Sequence, residues 1–334
     1  MIAPFFASGD DTRHLPARVC HVPIVVILNP RSRANRLDPA RADRFARILG
    51  DQGRVERPQS FEELDQLSHA LAKNPPQVLG IHGGDGTLHK TVSALLRGFG
   101  GTALPPLAIL PGGTMNVVAS SLNLRTRSED MLSQLADDAR KGRPPSVVSR
   151  RCLRIGDQHG FVFGNGFIAN FLEQYYRTGS YGPGRALWIL ARAFFSGLIG
   201  GRFSRKMFTR FEGRFALNDI TLPFTSLSAL SASTVREVGL GFKLNHRADE
   251  DPDKFSVLAI TAGAAALGLD LWAVWRGRGI SPRRAHSAVG STLLIEPAQK
   301  TDWPYTIDGD LYHTQGPLIL KAGPVLRFVE PRPR

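Results

Sequence analysis

An α/β domain followed by a mostly antiparallel β region is the fold class this sequence predicts, on three observations. First, short runs of Val, Ile and Leu, such as Val22 to Asn29, have the unbroken apolar pattern of strands covered on both faces in a parallel sheet. Second, these runs alternate with segments of helical spacing as far as about residue 145, the grammar of a doubly wound domain. Third, beyond Pro144 and Pro145 the texture changes to short alternating segments broken by Gly and polar turns. The expected division is therefore 20–145 and 146–334, with the last strands free to return to the first unit.

The elements follow in order. Val22 to Asn29 gives the first strand and Pro30 to Arg36 a polar loop. Pro39 to Gly50 carries Ala42, Phe45, Ala46, Ile48 and Leu49 at helical spacing, with Gly50 as the stop. Ser60 caps a second helix, and Glu63 three residues later completes a capping box. Val78 to Ile81 is a strand that feeds a glycine cluster, and Leu88 to Leu96 continues as a helix. The pattern repeats with a strand at Leu107 to Leu110, a turn at Pro111 to Gly113 and a helix at Thr114 to Leu122. In the second region strands are expected at Cys152 to Ile155, Gly160 to Phe163, Ile220 to Leu230, Lys254 to Ile260, Thr292 to Glu296, Tyr305 to Ile307 and Pro317 to Leu320. A helical insertion is expected over Tyr175 to Leu198.

The 334 residues are 42% hydrophobic and 21% charged, an ordinary globular balance that supports a sizeable core. A formal charge of +13 favours nucleic acid, an anionic membrane face or a phosphate-rich ligand. No helix-turn-helix, zinc or stacking-aromatic pattern accompanies the arginines, which argues against nucleic acid. Cys20 and Cys152 are too few for a zinc site or a disulfide framework, so a reducing cytoplasm is expected. Met1 to Ser8 lacks a basic leader and is not read as a signal peptide. The longest apolar stretch, Ala186 to Gly201, is interrupted by Arg192 and falls short of the roughly 20 residues a spanning helix needs.

The sharpest chemical signal is Gly83, Gly84, Asp85, Gly86 and Thr87 between a strand and a helix. Glycines let backbone approach a phosphate chain, the helix start offers N–H groups, and Thr87 adds a hydroxyl. A carboxylate beside phosphates repels them unless it handles a cation or accepts a proton, so Asp85 is either a magnesium contact, an acceptor for the proton of an attacking hydroxyl, or a plain helix cap. A second glycine turn, Pro111 to Thr114 followed by Asn116, occupies the equivalent place after the next strand. Strand ends of an open parallel sheet converge on one crevice, so both turns and the Asn29 loop are expected to face one ligand.

In order and spacing these motifs resemble the diacylglycerol kinase catalytic-domain family, which includes sphingosine, ceramide and bacterial lipid kinases and is more distantly similar to NAD kinases. Asn29, Pro30 and Ser32 look like its first motif, Gly83 to Thr87 its glycine-aspartate signature, and Pro111 to Asn116 its third nucleotide motif. Asp308, Gly309 and Asp310 stand in the place of an Asp-Gly-Glu element; taken alone they read as a hairpin turn. The resemblance implies an ATP cleft between an α/β domain and a β-sandwich, with Asn29, Ser32, Gly83, Gly84, Gly86, Thr87, Gly112, Gly113, Thr114 and Asn116 holding the nucleotide. It implies a catalytic set of Asp85, Asp308 and Asp310, with Asp85 near Mg2+ and Asp310 as general base. It departs from the diacylglycerol kinase pattern at Val117, where an Asp is usual, at Arg33 and Ala34, where a Gly is usual, and at His89 and Lys90.

The resemblance implies ATP and Mg2+, a lipid acceptor such as diacylglycerol, a sphingoid base or ceramide, and work at the inner face of a membrane. Tyr175 to Arg214 mixes Trp, Phe, Leu and Ile with Arg and Lys, which suits an anionic headgroup region or, equally, a core helix with a basic rim; Arg276, Arg278, Arg283 and Arg284 extend the same face. Asp249, Glu250, Asp251 and Asp253 read as a solvated acidic loop, with a magnesium site the lesser alternative. A homodimer is left open. The competing functions are a kinase of a soluble cofactor such as NAD and a catalytically idle nucleotide- or lipid-binding protein.

Overall fold

The structure, a computed structural model, describes residues 23–113, 116–124, 126–177, 182–239 and 241–332. The first part is β1 (Ile24–Leu28), α1 (Arg33–Leu37), α2 (Arg41–Leu49), β2 (Gly53–Glu56), α3 (Phe61–Lys73), β3 (Val78–Gly83), α4 (Asp85–Phe99), β4 (Leu107–Pro111), α5 (Val117–Ser121) and α6 (Ser128–Arg140). Its strands lie parallel in the order β4-β3-β1-β2. β1 and β3 are buried at every residue, as their unbroken apolar runs require. Helices cover both faces: α3 and α4 pack with Val25, Ile27, Leu79 and Ile81, while α2 and α6 pack with Ile24, Val26 and Leu28. At the start of α3, Ser60 Oγ accepts the N–H of Glu63, and the Glu63 carboxylate reaches back to the N–H of Gln59 rather than to that of the cap residue.

The second part begins with β5 (Val147–Ile155), β6 (Gln158–Gly160), β7 (Val162–Gly166), α7 (Phe167–Tyr176), α8 (Pro183–Leu198), α9 (Arg202–Met207), β8 (Phe211–Leu217), β9 (Ile220–Thr221), β10 (Ser226–Leu227) and β11 (Ala229–Ser233). It continues with β12 (Phe255–Ile260), α10 (Ala264–Gly268), α11 (Leu271–Trp275), β13 (Ala285–Gly290), β14 (Thr292–Pro297), β15 (Trp303–Ile307), β16 (Asp310–Thr314) and β17 (Leu318–Val329). One antiparallel sheet has the order β13-β12-β11-β7-β15-β16. It packs against β5, β8, β14 and β17 through Phe163, Phe255, Leu230 and Ile307 on one side and Ile155, Phe215, Ile295 and Leu320 on the other, which makes a sandwich core. β17 pairs antiparallel with β5 and β14, and Phe328 pairs parallel with Leu107 of β4, so the two parts share one continuous sheet.

Several elements differ from the sequence expectation. Ile220 to Leu230 is not one strand: Pro223 interrupts it, β9 and β10 both pair with β8, and the start of β11 passes into the other sheet beside β7 and β12. The helix expected from Thr114 starts at Val117, since Asn116 adopts a left-handed φ of 47°. The Tyr175 to Leu198 helix is two: α7 ends at Tyr176, and α8 starts at Pro183 after Gly182 at φ 150°, with Pro in the first helical position. The strand expected at Pro317 to Leu320 runs on to Val329 across a register shift between Ala322 and Val325. Among the described residues no helix is long and apolar enough to cross a membrane.

Candidate functional site

β1, β3 and β4 end side by side, and the loops that follow them are stitched together by hydrogen bonds. Asn29 donates through Nδ2 to Thr87 Oγ1 at 2.9 Å, and the N–H of Gly112 donates to the Gly83 carbonyl at 2.9 Å. Asn116 closes the second turn on itself: its Oδ1 accepts the Gly113 N–H at 3.1 Å and its Nδ2 donates to the Gly113 carbonyl at 3.0 Å. The turns touch so closely that a Cβ on Gly113 would lie 2.5 Å from the Gly84 Cα. The three loops therefore form one surface, as expected from the strand order. Ser32 Oγ, in the first loop, is buried without a hydrogen-bond partner. Thr114 lies outside the described residues.

Asp85 is the first residue of α4, and its Oδ1 faces the Val118 N–H of α5 at 3.4 Å. It sits between two helix starts. Burial raises its carboxyl from the usual value to about 6, against the opposing pull of backbone N–H groups at Val118, Val117, Asp85 and Asn116.

The other wall of the crevice is the hairpin between β15 and β16. Ile307 pairs with Asp310, leaving Asp308 and Gly309 as a two-residue turn with φ of 48° and 87°. Asp308 is buried, and its carboxylate accepts the N–H groups of Phe161 at 3.0 Å and Val162 at 2.8 Å. Burial pushes its carboxyl well up, and Asp85 and Asp310 add to the rise, so the three carboxylates lie within electrostatic reach of one another. Tyr176 of α7 donates to the Gly309 carbonyl at 2.8 Å and braces the turn.

Asp310 docks against α4 where a side chain is missing. A Cβ on Gly86 would fall 2.8 Å from Asp310 Oδ1, so glycine is required there for a steric reason separate from any phosphate. One helical turn on, Lys90 Nζ pairs with Asp310 Oδ2 at 2.7 Å. On the same edge of β16, Tyr312 meets buried His89 at 2.7 Å, and His89 Nδ1 lies 2.7 Å from the His159 carbonyl. Burial lowers the His89 pKa, so the ring is neutral. A carbonyl only accepts, so Nδ1 carries the proton and Nε2 receives the Tyr312 O–H. His82, beside the first turn, is also buried and its pKa is lowered to about 4. Neither histidine is a surface ligand.

Beyond the carboxylates opens a cavity of about 500 Å3, walled by apolar residues including Phe167, Phe171, Leu190, Phe194, Leu244 and Val274. Asp85, Asp308 and Asp310 lie at its polar end, with Arg33 and Arg36 from the first loop and Val117 of α5. Arg36 and Lys90 are site residues without a functional role in the sequence reading. The four carboxylates of the acidic loop are each held by the protein's own cations: Asp249 by Arg150 and Arg236, Glu250 by Arg247, Asp251 by Lys254, and Asp253 by Arg151. The loop is ion-paired rather than merely solvated, and no described group of three His, Cys, Asp or Glu residues could hold a metal ion.

Glycine turns at the carboxyl edge of the α/β sheet, a carboxylate cluster and an adjoining apolar chamber thus lie together in one crevice. Residues 23–143, a little over a third of the chain, match the family model of the diacylglycerol kinase catalytic domain. Among solved structures it is similar to one described as a diacylglycerol kinase from Bacillus anthracis str. Sterne, at 13% identity and a TM-score of 0.61, covering 92% of this chain and 96% of that one. A second structure from the same organism, described as a candidate diacylglycerol kinase, gives 12% identity, a TM-score of 0.65 and the same coverage. These two likenesses establish the fold. No curated protein sequence matches the chain.

Proposed function

We propose that this protein transfers the γ-phosphoryl group of ATP to the hydroxyl of a membrane lipid of the diacylglycerol or sphingoid class. The observation that carries the reading is the cavity of about 500 Å3, walled mostly by apolar residues and ending at Asp85, Asp308 and Asp310 beside the glycine turns. Such a chamber takes the hydrocarbon chain of a lipid and presents the lipid's backbone hydroxyl to the carboxylates. A soluble cofactor such as NAD would have to be desolvated to enter it, which favours the lipid over that alternative. In this reading residues 20–145 hold the nucleotide and 146–334 the acceptor, at the inner face of the membrane.

The residues present fit a nucleotide with its magnesium. The unpartnered Ser32 Oγ suits a phosphate oxygen, the glycine turns keep side chains off the edge where the phosphates would lie, and Asp85 suits a cation that arrives on them. When bound, the cation neutralises charge that builds up on the phosphates. The chain's own residues do the rest. Asp310, held by Lys90 and the notch at Gly86, accepts the lipid hydroxyl proton while the new oxygen–phosphorus bond forms and the β–γ bridging bond breaks. Asp308 holds the turn rigid through Phe161 and Val162. Arg33 and Arg36 stand where they would meet phosphate oxygens.

Transfer of labelled γ-phosphate across a panel of lipid alcohols is the test. Labelled lipid phosphate that disappears in Asp310→Ala supports the reading. Nucleotide binding without transfer to any lipid would leave the idle-binder alternative standing.

A further inference from the structure

The walls of the cavity have a second apolar side. α8 turns Leu190 and Phe194 towards the cavity, and α10 and α11 contribute Leu267 and Val274. On the opposite side, Phe195 is 65% exposed, Ile199 85%, Trp272 57% and Trp275 56%, with Trp188 and Leu198 beside them. A helix that is apolar all round belongs in a core or against lipid. These helices have a core on one side only.

The charge says what covers the other side. From residue 183 to 207 there is no Asp or Glu, but there are Arg185, Arg192, Arg202, Arg205 and Lys206. Asp270, in the neighbouring stretch, is cancelled by Arg284 at 3.0 Å. The arginines lie on the exposed tryptophans: Arg185 and Arg192 over Trp188, and Arg276 over Trp272 at 3.9 Å from the ring centre. Rings capped by guanidinium groups suit the boundary where acyl chains meet anionic headgroups. A second copy of the same face would bring like charges together.

We infer that the outer face of α8, with α10 and α11, seats this protein in an anionic bilayer, and that the acceptor passes between these helices from the leaflet into the cavity. The passage rests on the lipid-kinase reading; the seating does not. α8 and α10 meet at a seam where a Cβ on Gly197 would lie 2.7 Å from the Ala264 Cβ and the Phe194 ring lies on Gly268, so the two helices are close-packed there and must part for the acceptor to pass.

Three of the four tryptophans are on this face, and Trp303 is buried, so the full-length protein carries its own probe. With vesicles of phosphatidylcholine and phosphatidylglycerol whose acyl chains are brominated, tryptophan emission is expected to be quenched, and pure phosphatidylcholine is expected to quench far less. Trp272→Ser with Trp275→Ser is expected to weaken vesicle binding about tenfold and to slow phosphorylation of vesicle lipid while sparing a short-chain soluble acceptor. Unquenched emission, equal binding to neutral vesicles, or a stable dimer that shields these tryptophans overturns the inference. Quenching without phosphate transfer to any lipid defeats the kinase reading and the passage but leaves the seating in place.

Discussion

The two walls of the crevice are held in different ways. The glycine-turn wall is carried on strands buried at every residue, and its loops are tied by backbone hydrogen bonds such as Gly112 to Gly83. The hairpin wall is positioned by side chains reaching from other parts of the chain: Lys90, His89 and Tyr176. Distorting the backbone of the first wall should therefore cost fold and activity together, while loosening the Asp310 end of the second should cost activity before fold.

Asp85→Asn tests the first wall most severely, with transfer expected to fall about 10³-fold in the labelled-phosphate assay. Its stability should move the other way. Burial raises the Asp85 pKa to about 6, so the folded state bears a buried anion above that pH and none near pH 4. Stability is lost as pH rises between the unfolded and folded pKa values, and the Asn variant should recover up to about 3 kcal/mol at pH 8 in urea denaturation. Near pH 4 it should recover none. An equal gain at both pH values would show that Asp85 is not the group responsible.

Glycine substitutions separate the walls directly. In Gly113→Ala the new Cβ meets the Gly84 backbone at 2.5 Å, so stability should drop about 1–3 kcal/mol along with activity. In Gly86→Ala its nearest contacts are the Asp310 carboxylate atoms, the free end of a side chain, so transfer should fall about tenfold with the melting curve nearly unchanged. Tyr312→Phe leaves the buried His89 Nε2 unpaired and should cost about 1–3 kcal/mol, read by denaturation. The smallest expected effect is Lys90→Gln. It removes a half-exposed ion pair worth at most about 1 kcal/mol, so kcat should fall severalfold with little change in stability, and Lys90→Arg should restore it.

The first wall was legible in the sequence because each part of it is local. A strand, a glycine turn and a helix start lie within a few residues of each other at Gly83 to Thr87 and again at Pro111 to Asn116. The Asp308-Gly309 turn was legible as a hairpin for the same reason. What holds that turn was not: His89 and Tyr312 are separated by 223 residues, and no spacing rule links them. Lys90 stood out only as a departure from the family pattern, and its meaning came from Asp310. The cavity was hidden because its lining comes from α7, α8, α10 and loops near Leu244, whose apolar residues carry no shared motif. For Tyr175 to Arg214 the sequence offers a core helix or a membrane face, and α8 turns one apolar side to the cavity and leaves another exposed.

β17 closes the open side of β4, and it does so from far along the chain, Phe328 against Leu107. Until that strand arrives, the sheet carrying the glycine turns has a bare rim of unpaired N–H and carbonyl groups next to its hydrophobic layers. The first part of the chain is therefore a poor candidate for expression by itself. Residues 23–143 made alone should form inclusion bodies or stick edge to edge, and supplying β17 as a fused strand should be the most economical cure.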